Sequence, residues 1–204
     1  MANASVALAQ ARTLLNDDLA TVWTDTVLLK KLEIAHQELQ SLLWNSGSPA
    51  VRGESALISV TAAATDLGAN QPADLLAPYR LVEYTDAGIT PLEMTEVFSI
   101  PVGIAQTTTL IYWAWKEEKI VFLGSTANRK IKIFYRKLIT IPIDGTKAIG
   151  LLFGELYLGP RIAALAAGSV GNFEVMNALT NMANSSFARV LEANRGQQNV
   201  LGGA

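Results

Sequence analysis

The sequence predicts an α+β fold: a helical bundle from the N- and C-terminal helices, with a small, mainly antiparallel β-sheet inserted between them. Three observations predict it. Residues 24–45 and 172–194 carry apolar side chains at helical spacing. Residues 56–138 are richer in β-branched and aromatic residues, in short runs parted by turn signals. Strands and helices do not alternate along the chain, which argues against a doubly wound α/β sheet. The expected division is residues 1–49 and 146–194 as the helical bundle, 50–145 as the inserted β-rich region, and 195–204 as a flexible C-terminal tail.

The clearest element is residues 24–45. Leu28, Leu32, Ala35, Leu39 and Leu42 recur at spacings of four and three and form one stripe, while Lys30, Glu33, Gln37 and Ser41 fill other faces. Thr24 or Asp25 is placed to cap its first turn, and the run from Asn45 to Pro49 stops it. Val27, Ile34 and Trp44 lie off the stripe, so this helix is expected to make a second contact, within the chain or with a neighbour. Residues 3–15 read as a first helix ended by Asn16, Asp17 and Asp18.

The middle reads as strands at 56–63, 79–84 and 89–92, with a short helix at 92–98. Residues 110–115 and 119–123 form the best hairpin around Lys116, Glu117 and Glu118. A third strand at 130–138 joins the same sheet. It alternates Ile131, Ile133 and Tyr135 on one face with Lys130, Lys132 and Arg136 on the other. Residues 146–167 read as a helix interrupted near Gly159 and Pro160, closed by Gly168. Asn172 caps the last helix, whose stripe is Met176, Leu179, Ala183, Phe187 and Val190.

Composition narrows the function. The chain has 204 residues, is half hydrophobic and only 17% charged, below the usual quarter. Lean charge and positive mean hydropathy suggest apolar surface that meets a partner. A net charge of −2 argues against an electrostatic nucleic-acid binder. With no cysteine, disulfides and thiolate metal sites are excluded. Residues 1–20 lack the basic start and apolar run of a signal peptide. Residues 148–167 approach membrane length, but Glu155 and Arg161 would be costly in lipid, so a buried helix and no membrane partner are expected.

Catalytic constellations are scarce. His36 is the only histidine and reads as a surface or helix-packing residue, since a zinc site would need unusual carboxylate ligation. Glu155 lies in apolar helix and is the one carboxylate placed for acid–base work; its expected role is an ion pair with Arg161 or Lys147. Gly150, Gly154 and Gly159 do not follow a strand, so no phosphate loop is present and close helix packing is their expected use. No cofactor is expected. The basic run Arg129, Lys130, Lys132, Arg136 and Lys137 holds five of the sixteen Lys and Arg. It reads as the solvated face of an edge strand, or as a face toward an acidic partner or DNA phosphates.

Two segments carry a resemblance. Residues 12–39, RTLLNDDLATVWTDTVLLKKLEIAHQEL, resemble the opening of the phage head–tail adaptor (connector) proteins: a short helix, an Asn/Asp-rich break, a Trp-Thr-Asp cap and a Leu-rich helix. Residues 71–84, QPADLLAPYRLVEY, resemble the family's strand entry, with Gln71 where leucine is usual and Leu75 and Leu76 in place of the aromatic. The order of the remaining elements is similar as well. The resemblance implies a structural virion protein and not an enzyme, similar to the tail accessory factor of short-tailed phages. It implies a ring, usually of twelve copies, between the portal protein and a tail tube or nozzle protein, around DNA passing without sequence-specific binding. It places the protein in the virion neck, and in the host cytoplasm during assembly. Portal contact is carried onto Phe187, Arg189, Val190, Leu191, Arg195, Val200 and Leu201, and a channel or partner-facing role onto the basic run. Two other readings stand beside it: a muralytic enzyme using Glu155, and a cytoplasmic interaction module unrelated to phages.

Overall fold

The fold is taken from a computed structural model that describes residues 2–195. It is α+β. One unit comprises the chain up to Val51 and from Ile139 onward; the other is Arg52–Leu138. Residues 139–145 thus belong with the helices. Of the expected C-terminal tail, only Arg195 lies within the described residues, where it ends a helix.

The helical unit contains α1 (Ala4–Leu14), α2 (Asp25–Asn45), α3 (Glu155–Ser169) and α4 (Phe173–Arg195). α3 is its centre. Tyr157, Leu158, Ile162 and four alanines of α3 are buried, and the small residues let neighbours approach closely. Ala4, Ala7 and Ala11 of α1 pack into the same core, and a Cβ at Gly159 would run into the Gln10 side chain. The α2 stripe is broader than expected: Leu28, Leu32, Ala35, Leu39 and Leu43 are buried, and His36 and Gln40 are buried with them. Trp44 packs against this core, so its second contact is internal.

Three helices end alike. The N–H two residues past the C-cap bonds back to the last turn, and the intervening residue is left-handed: Asn16 after α1, Gly47 after α2, Gly171 after α3. The closing glycine of α3 is therefore Gly171, not Gly168. α3 also starts later than expected. Gly150 and Phe153 both take positive φ, 77° and 54°, which keeps residues 146–154 out of a helix. Pro160 does not break α3; so near its start, the proline costs only a bond to the preceding turn. Thr24 is the N-cap of α2 but its side chain makes no capping bond, and Asp25 pairs instead with Arg12. Asn172 does cap α4, accepting from the Val175 N–H at 3.2 Å.

The second unit holds two sheets. β1 (Arg52–Glu54), β2 (Ile58–Val60), β3 (Leu75–Thr85), β4 (Pro91–Glu93) and β8 (Arg129–Lys137) form one antiparallel sheet, with β8 between β3 on one side and β1 and β2 on the other. β5 (Thr95–Glu96), β6 (Tyr112–Lys116) and β7 (Lys119–Phe122) form the other, β5 lying parallel to β6. The expected hairpin is present as β6–β7, but it does not share a sheet with β8. The expected helix at 92–98 is extended chain. Its backbone is taken on both sides: Met94 N–H donates to the Leu81 carbonyl, Thr95 and Val97 N–H to those of Ile111 and Trp113. Ile131, Ile133 and Tyr135 face the core with Trp113, Ile120 and Phe122.

Candidate interaction surfaces

Three buried polar side chains set the segment that leads into α3. The Gln40 amide grips the Ile139 peptide at both ends, accepting its N–H at 3.0 Å and donating to its carbonyl at 2.8 Å. The same amide nitrogen lies 3.0 Å from His36 Nδ1, while His36 Nε2 lies 3.0 Å from the Ile149 carbonyl. A carbonyl only accepts, so Nε2 carries the proton and Nδ1 accepts from Gln40. The ring is neutral. Burial pushes its pKa below the ordinary histidine range, and the bond to the Ile149 carbonyl opposes this only in part. Asn194 repeats the device from α4, accepting the Leu152 N–H at 3.2 Å and donating to the Leu152 carbonyl at 2.9 Å. His36 is thus a packing residue of the core, not a surface one. The signal for all three was a polar residue at a stripe position.

The clamped segment fixes α3, and α3 carries α1 and α4 on its surface. Between them runs an open groove of about 870 Å³, lined by Val6, Ala9, Leu14, Pro160 and Met182 with Arg189 at its edge. Leu156 and Arg189 also line a second hollow of about 370 Å³ with Phe153, Glu192 and Ala193. Phe153 is 56% exposed despite its positive φ. On the other flank of α4, Arg161 makes a two-point ion pair with Glu38 at 2.6 and 2.9 Å and donates to the Thr180 hydroxyl at 3.1 Å. The expected ion pair of Glu155 with Arg161 or Lys147 is thus not formed among the described residues. Glu155 Oε2 is enclosed without a hydrogen-bond partner.

The residues expected to meet a portal separate into two groups. Arg189 and Arg195 are exposed. Val190 is fully buried, Phe187 packs edge-on against Tyr157 at 6.3 Å, and Leu191 lies against the core, so these three hold the bundle together. Val200 and Leu201 lie outside the described residues.

The basic run is not on an edge strand. β8 is flanked on both sides, and its charges are largely met inside the unit. Arg129 pairs with the fully buried Glu83, whose carboxylate also accepts the Leu110 N–H. Lys132 pairs with Glu54, and Lys137 lies 3.5 Å from Asp74. Phe134 has Arg80 at 5.0 Å and Lys132 at 5.8 Å from its ring centre. The alternation marked this face, but the acidic partners lie far off in sequence.

In the segment 17–23, Asp17 accepts from the Thr21 hydroxyl at 2.7 Å and the Trp23 N–H at 2.6 Å. The Thr21 bond, then those from the Trp23, Val22 and Thr21 amides, hold its pKa down at about 2. This organises the break between α1 and α2, the stretch that carries the first resemblance.

Among the described residues, no helix is long and apolar enough to cross a membrane, and no cluster of three or more His, Asp or Glu could hold a metal. Neither a scan against models of known protein families nor a search of curated proteins returns a match to this chain.

Proposed function

We propose that this chain is a structural adaptor of a virion neck, forming a ring between portal and tail and continuing the DNA channel. The observation that carries the reading is the open apolar groove beside α4, with the cation of Arg189 at its edge. A surface of this kind suits protein contact rather than small-molecule chemistry. The resemblance of residues 12–39 and 71–84 to head–tail adaptors supplies the kind of assembly. In this reading Arg195 and the residues that follow it meet the portal, and the opposite side receives a tail tube or nozzle protein. DNA passes without sequence-specific contact, and the basic run is the candidate face toward it, with Lys130 in no ion pair among the described residues.

Mass photometry of the chain with its portal tests this, comparing full length with a chain ended after Arg195. Truncation further in would remove Asn194 or Val190 and unfold the bundle rather than the contact. A discrete ring on the portal that weakens on truncation is the expected result. A chain that stays monomeric with portal in both forms overturns the reading.

A further inference from the structure

Two surfaces of the helical unit, an apolar ridge and a pair of hollows, are left open among the described residues. The first is the ridge of α2. Val27 and Ile34 are 38% and 44% exposed, although both are large and apolar. They stand seven residues apart, two helical turns or about 10.5 Å, on one side of the helix. The second surface is the pair of hollows beside α4, one holding Pro160, Met182 and Ser186, the other Phe153 and Ala193, joined through Leu156 and Arg189. Their α4 walls run from Met182 to Ala193, so a helix with two knobs two turns apart can seat one knob in each hollow.

Charge sets the direction. α2 carries exposed Lys30 and Glu33; α4 carries exposed Arg189 and Glu192. Among the described residues none of the four takes part in an ion pair. Both pairs are spaced by three and run in the same order of sign, cation first. Laid antiparallel, Glu33 meets Arg189 and Lys30 meets Glu192; laid parallel in the same register, like charges meet. The antiparallel register sets Ile34 opposite Ala188, within one turn of Ser186, and Val27 opposite Arg195, within one turn of Ala193, one knob toward each hollow.

We infer that the α2 ridge of one copy docks antiparallel against α4 in the groove of the next copy. Ridge and groove are different surfaces of the same unit, so the contact is head-to-tail and propagates from copy to copy, closing into a ring where the rotation permits. This rests on the adaptor reading and gives its ring a specific lateral contact.

The chain has no cysteine, which makes cross-linking specific. Full-length Ile34→Cys and Ser186→Cys variants, checked for unchanged helix content, are oxidised alone, mixed, and combined in one chain, with and without portal. The expected result is no covalent product from either single variant, one dimer band from the mixture, and a ladder beyond dimer from the double variant. Dimers from Ile34→Cys alone overturn the inference, because two ridges would then face each other. So does a double variant without a ladder where mass photometry still shows a ring, and in that case the adaptor reading survives. A chain monomeric throughout, portal included, overturns both. Glu33→Arg should weaken self-association by about tenfold, and adding Arg189→Glu should restore it. Failure to restore overturns the antiparallel register.

Discussion

The two units satisfy their buried polar groups by opposite means. Apart from Asp17, the helical unit buries neutral groups: Gln40, His36 and Asn194 bond to backbone outside the helices. The sheet unit buries a charge, with Glu83 fully enclosed and balanced by Arg129. A neutral amide costs little to bury once bonded, whereas an ion pair must recover a large desolvation cost and collapses when one partner is lost. Their surfaces differ in the other direction. The basic face of the sheet is mostly matched by acids of its own unit, while on the helical unit Lys30, Glu33, Arg189 and Glu192 stand beside exposed apolar surface with no ion pair among the described residues. The charge-rich stretch of the sequence is thus the one with less left to offer a partner.

The largest expected effect breaks the buried charge. Glu83→Ala leaves Arg129 and the Leu110 N–H without their acceptor and should cost about 3–5 kcal/mol, read as a urea midpoint shift. An unchanged midpoint would mean that water reaches Arg129. Next, Gln40→Leu keeps the volume but strands both ends of the Ile139 peptide; about 2–4 kcal/mol is expected in the same assay. A smaller effect of opposite sign sharpens the contrast within the sheet unit. Glu117 and Glu118 both take positive φ in the β6–β7 turn, at 50° and 60°. Replacing them by Asn and Gly, which favour this turn, should stabilise by about 0.5–1 kcal/mol.

The smallest effect is the pH response of the helical clamp. Because the folded pKa of His36 is depressed, the unfolded chain binds the proton more readily. Stability is fully present above about pH 6.5, the ordinary histidine value, and is lost as the pH falls from there toward the depressed value. Urea midpoints at pH 5 and 7.5 should show this decline, and His36→Gln should flatten it. A His36→Gln profile that falls as steeply as the parent would assign the loss to other groups.

What the sequence made legible was periodic. The stripes of α2 and α4 and the inward Ile131, Ile133 and Tyr135 of β8 follow from spacing alone, and with them the α+β class. What it hid depended on distant partners. Residues 92–98 are extended because Leu81, Ile111 and Trp113 take their hydrogen bonds. Residues 146–154 stay out of α3 because Gly150 and Phe153 turn left-handed, and Phe153 gives no local hint of it. Periodicity counts hydrophobic residues, so it passed over His36, Gln40 and Asn194, whose burial rests on backbone far along the chain. The contact role given to Phe187, Val190 and Leu191 came from the resemblance, although the stripe had already set Phe187 and Val190 on one apolar face, and a stripe looks the same whether it faces a core or a partner.

The contrast between a self-satisfied sheet face and an unsatisfied helical surface is tested most directly by hydrogen exchange of the free chain against the chain assembled on portal. New protection is expected in the exposed turns of α2 around Val27 and Ile34 and in α4 from Met182 to Arg195, with β8 unchanged. Protection gained chiefly along β8, with α2 and α4 exchanging as in the free chain, would contradict it.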